Sequence, residues 1–124
     1  MIDAAHCGDS DLSIADNEKV IKDLAKADAL GIFHASAKTT RGCLSTDDGW
    51  VGALLAAYAP TGKLKHVFVE LFHHQDPALE PLRKAVKGHG VDTTDGRTYN
   101  KTVTDGVIEV THRLNNLAAR KLIK

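Results

Sequence analysis

Apolar residues recur along this chain first at helical spacing, then in short continuous runs, and the alternation of the two patterns divides it into elements. Val20, Ile21, Leu24 and Ala25 share one helical face, while Glu18, Lys19, Lys22, Asp23 and Lys26 take the other. Ser13 and Asp16 are each able to cap that helix, which is predicted to run to about Asp28. Ala29–Ala37 then reads as a short central strand, because Leu30, Ile32 and His34 alternate with Gly31, Phe33 and Ala35 and both sides are mostly apolar. A second helix is predicted from Ser45 or Thr46. Ser45-Thr46-Asp47-Asp48 has the form of a capping box with Asp in place of Glu, and Trp50, Val51, Leu54, Leu55 and Tyr58 make the strongest helical stripe in the chain. Pro60-Thr61-Gly62 ends it.

The run Val67–Phe72 follows, β-branched and aromatic, at the length of a strand covered on both faces. Gln75-Asp76-Pro77 opens a further helix, with Asp76 as N-cap and Pro77 at the first position, where no donor is needed. Leu79, Leu82 and Val86 give its apolar face, and Gly88 and Gly90 are suited to end it. Beyond that point Asp95-Gly96 and Asp105-Gly106 are tight-turn signals. Arg97–Thr104 is Thr-rich like an edge strand and Val107–His112 alternates, so a hairpin across Asp105-Gly106 is expected. The alternative is one helix from Asp105 to the end, since Val107, Val110, Leu114 and Leu117 also fit helical spacing. Leu114–Lys124 is helical under both. Met1–Leu12 has no periodicity and is expected to be an irregular arm.

The resulting order, α-β-α-β-α-β-β-α, predicts an α/β domain: a single-layer mixed sheet of about four strands with helices packed on it. The crossover through Trp50–Tyr58 makes its two apolar strands parallel neighbours. At 124 residues the chain is expected to form one domain over 1–124, large enough to build a core without disulfide or metal staples.

Composition narrows the function classes. Sixteen basic and sixteen acidic residues cancel, which argues against a broad nucleic-acid or anionic-membrane surface. No apolar run approaches the ~20 residues that cross a bilayer. The start is acidic and unlike a secretory signal, so a cytoplasmic location is expected. Cys7 and Cys43 do not have the spacing of a disulfide scaffold or a metal knuckle. Seven histidines are the compositional oddity, but no HExxH or similar spacing appears, and neither a metal nor a cofactor is expected.

The chemistry is placed where two polar loops leave the carboxyl ends of parallel strands, the usual ligand edge of an open α/β sheet. One loop carries Lys38, Thr40 and Arg41 as ligand-binding candidates. The other carries His73 and His74 as catalytic candidates, His74 preferred because it lies nearer the helix start, and Asp76 as a ligand-binding one. Cations, hydroxyls and imidazoles together suit a phosphate- or carboxylate-bearing small molecule, with histidine acid–base catalysis a further step. A metal site built from His34, His73, His74 and Asp76 would need adjacent histidines to converge, whereas on a strand they point to opposite faces; His34 is read as structural. The alternative class is a non-catalytic interaction module or homo-oligomer, motivated by the edge strand expected at Arg97–Thr104.

Overall fold

The computed structural model describes residues 1–38, 44, 49–85 and 93–121. Its sheet has three strands, all parallel, in the spatial order β1 (Ile2–Asp3), β2 (Ile32–Ala35), β3 (His66–Val69). Ile2 pairs with Phe33 and Asp3 with His34, and Ile32 to Ala35 pair in turn with His66 to Val69. The two apolar strands are parallel neighbours across a helical crossover, as the stripe at Trp50–Tyr58 predicts.

Side chains alternate between the faces of this sheet. Phe33 and Ala35 are fully buried, and Val67 and Val69 pack against the same core. Over them lie α2 (Ile14–Lys26), α3 (Trp50–Tyr58) and α5 (Tyr99–Ala119), contributing Ile21, Val51, Leu54, Leu55, Tyr58, Val110 and Leu117. Tyr58 meets Phe33 edge to face, ring centroids 6.3 Å apart. Trp50 is a core residue, as its place in the stripe predicts, and its Nε1–H donates to the Ala4 carbonyl at 2.8 Å.

Ser13 accepts from the Asp16 N–H and caps α2, as expected from the sequence. The capping box at 45–48 and the end of the helix predicted through Val86 lie outside the described residues. Asp76 caps as expected, accepting from the Ala78 N–H at 2.9 Å. It does so for a 3₁₀ turn at Pro77–Leu79 that continues into α4 (Glu80–Ala85).

Three expectations are corrected. The first twelve residues are not an irregular arm: β1 is followed at once by α1 (Ala4–Asp9), whose N-cap is Asp3. A two-residue strand carries no period of its own and exists only through its pairing with β2. β3 is not covered on both faces, since Phe68 is 51% exposed. The hairpin expected after Asp95 is instead the single helix α5, which begins at Tyr99, ahead of the Asp105 start of the alternative. Thr98 caps it, and Gly106 sits inside it at the sheet, where a Cβ would lie 2.9 Å from Val69 Cγ1. Gly106 thus serves close approach and not a turn. With the strand at Arg97–Thr104 gone, the edge-pairing route to an interaction module loses its structural basis.

Two predictions follow from the packing of the termini. A Cβ at Gly8 would lie 2.0 Å from the Lys38 carbonyl oxygen, a backbone atom three residues past the end of β2. Gly8→Ala is expected to cost about 2 kcal/mol or more in chemical denaturation, where a loose arm would lose almost nothing. At the start of α5, Asp105 accepts from Lys101 Nζ at 2.6 Å and from Arg97 Nη1 at 2.9 Å. These bonds hold its carboxyl below the ordinary value of 3.8, Lys101 being the larger cause. Stability from this depressed group is complete above the unfolded value and is lost as pH falls through the folded one. Acid titration of the folded protein below pH ~4 should therefore loosen the start of α5, and Asp105→Asn should remove part of that pH dependence.

Candidate functional site

The parallel register carries Asp3, His34 and Phe68 across one row of the sheet. Glu70, two residues beyond Phe68, comes to the same face by alternation, and its N–H donates to the Ala35 carbonyl at 3.0 Å. This is the face opposite the helical core. Asp3, His34 and Glu70 meet there at the carboxyl end of all three strands. One ligand atom from each lies within 4.8 Å of the others, an arrangement able to hold a metal ion.

His34 Nδ1 is 3.1 Å from Glu70 Oε2 and 3.7 Å from Asp3 Oδ2. An ionised carboxylate only accepts, so without an ion the ring proton sits on Nδ1, donating to Glu70. Asp3 is 95% removed from solvent and is doubly anchored: its Oδ1 accepts from the His6 backbone N–H at 2.9 Å and lies 3.5 Å from His6 Nδ1. Its acid character reaches Cys7, whose thiol is pushed up by burial first and by Asp3 second. Two acidic side chains against one imidazole concentrate negative charge in the cluster. A divalent cation would offset that charge, and Nδ1, Oδ2 and Oε2 are the atoms that would hold it. Nδ1 lies 3.1 and 3.7 Å from the two carboxylate oxygens and all three atoms are within 4.8 Å of one another, the span over which one ion can gather several ligands.

Around the cluster runs a row of rings. The Phe68 ring lies 5.8 Å from that of His34, edge to face, and 6.2 Å from that of His66.

The residues singled out from sequence go elsewhere. Lys38 follows β2 at the expected edge, with Nζ 4.7 Å over the Trp50 ring, a cation–π contact. Thr40 and Arg41 lie outside the described residues. His73 is fully buried. Its Nδ1 accepts the Gln75 N–H at 3.2 Å, so its Nε2–H donates to the Arg97 carbonyl at 3.1 Å. His74 stacks on it at 4.5 Å, and Thr93 Oγ1 lies 2.9 Å from both its backbone N and its Nδ1. The pair thus joins the loop after β3 to the segment that leads into α5, and Lys38 and the pair have different neighbours. The group that does converge was missed because its members come from β1, from β2 and from the residue just after β3, and β1 has no sequence signature. His34 at a strand end was the only legible sign.

Among known protein families, curated proteins and solved structures, none matches this chain. Among the described residues no helix is long and apolar enough to cross a membrane.

His73→Ala would empty a fully buried position and leave the part-buried Gln75 N–H and Arg97 carbonyl without these bonds, at up to ~1–3 kcal/mol for each group. A loss of at least about 2 kcal/mol is expected by chemical denaturation. For His74→Ala, which keeps the backbone bond to Thr93, it should be about 1 kcal/mol or less. Equal losses would contradict the asymmetry.

Proposed function

We propose that the protein is a divalent-cation-dependent enzyme acting on a phosphate-bearing small molecule, with the ion held by Asp3, His34 and Glu70. The convergence of those three side chains at the carboxyl edge of a parallel sheet carries the reading. Two carboxylate oxygens and one imidazole nitrogen favour Mg²⁺, Mn²⁺ or Zn²⁺ over softer ions. Three protein donors leave coordination positions for a phosphate oxygen and a water, the minimum for metal-assisted hydrolysis of a phosphate ester. His34 must move its proton from Nδ1 to Nε2 to ligate, which changes tautomer but not charge. Lys38 would have to leave the Trp50 ring to meet the charge of the substrate, and in this reading His73 and His74 hold the loop in place.

A second reading rests on the His34–Glu70 bond itself. A carboxylate on Nδ1 orients the ring and leaves Nε2 as its basic nitrogen, the arrangement of a metal-free general base.

Calorimetric titration of chelator-treated protein with Mn²⁺ should show one ion per chain. Glu70→Gln should weaken binding at least about tenfold with little change in melting temperature. Hydrolysis of p-nitrophenyl phosphate should require the ion and be lost in His34→Ala. Hydrolysis that survives chelation but not His34→Ala selects the second reading. No ion binding and no hydrolysis would remove both.

A further inference from the structure

The face of the sheet that carries Asp3, His34 and Glu70 also carries exposed rings. Phe68 is 51% exposed, on a strand whose Val67 and Val69 pack into the core on the other side. Its ring meets that of His34 at 79°, edge to face, and that of His66, itself exposed, at a tilt of 39°. About half of Phe68 is thus open to solvent beside a polar cluster. An aromatic side chain held this way gains by stacking on a flat ligand, since it has few rotamers to lose and a π-face to offer.

Position relative to the cluster sets what the ligand must look like. Strand rise puts Phe68 ~7 Å behind Glu70, and His66 ~13 Å behind it, on the same face. A ring esterified directly to a phosphate at the cluster would stop at the near side of Phe68. A ring joined to that phosphate through a sugar has the length to lie over Phe68 and approach His66. Sixteen basic and sixteen acidic residues make no broad surface for a polynucleotide, so a single nucleotide fits better than a strand.

We propose that the substrate of the Asp3–His34–Glu70 site is a nucleoside monophosphate, its base stacked on Phe68 beside His66 and its phosphate at the cluster. This rests on the cation-dependent reading above and names its substrate class. In the reaction, water adds to phosphorus and the P–O bond to the sugar breaks. The nucleoside leaves as an alcohol, taking a proton from that water, and inorganic phosphate remains.

The experiment uses the full chain saturated with Mn²⁺ and titrated by calorimetry with adenosine monophosphate or with ribose 5-phosphate, which lacks the base. The nucleotide is expected to bind about tenfold more tightly, the effect of stacking one base on an aromatic side chain. Phe68→Ala should reduce the nucleotide to the affinity of ribose 5-phosphate and leave Mn²⁺ binding as it is. Phe68→Leu, which keeps apolar bulk against His34 but no flat face, should do the same, and Phe68→Tyr should keep the preference. Equal affinities for the two ligands, or a preference that survives in both Phe68→Ala and Phe68→Leu, overturn the substrate assignment and leave the cation reading standing. Absence of Mn²⁺ binding overturns the cation reading and the substrate assignment with it.

Discussion

The parallel pairing of three short strands is the constraint on which the rest of this molecule depends. Parallel strands run the same way, so side chains at or just past the carboxyl ends of β1, β2 and β3 arrive at one edge whatever lies between them in sequence. The register then decides which chemistry meets there. Asp3 opposite His34, and Glu70 one pleat beyond Phe68, bring two acids and an imidazole onto one face. A shift of one residue in β1 would send Asp3 into the apolar core and put Ile2 at the site. The cap that Asp3 gives to α1 guards against that slip, because its Oδ1 is tied to the His6 N–H.

The same geometry explains what the sequence does and does not disclose. Helix α2 and the stripe of α3 were legible because a long amphipathic face with a side-chain cap is a local signal, and Ser13 and Trp50 do what their positions predict. The parallel β2–β3 pair was legible for a related reason: a helix of that length between two apolar runs leaves few other connections. β1 was not, since two residues have no period and only the partner strand makes them extended. The region after Gly96 misled because Thr and Val favour strands by at most ~1 kcal/mol, and packing against the sheet outweighed that. Gly106 is the sharpest case. Asp-Gly is a turn signal, yet here the missing side chain lets a helix lie against Val69 and Leu44. The Asp3–His34–Glu70 cluster lies at the carboxyl edge to which the sequence reading assigned the chemistry, but none of its members was a candidate there, because Asp3 and Glu70 announce nothing by spacing.

A pair of carboxylates brought this close to one imidazole needs a compensating charge or a shared proton. Asp3, almost without solvent, cannot rely on water to spread its charge. The His34 proton at Nδ1 is one solution and a divalent ion is the other, and the two use the same atoms. The metal-free and metal-bound accounts are therefore alternative occupancies of one arrangement, distinguished by what sits between Nδ1, Oδ2 and Oε2.

Anomalous diffraction from crystals grown with Mn²⁺, recorded at the manganese edge, reads that position directly. The account predicts one strong peak about 2.0–2.3 Å from His34 Nδ1, Asp3 Oδ2 and Glu70 Oε2. A well-ordered cluster with no peak, its Nδ1–Oε2 contact unchanged, would contradict it.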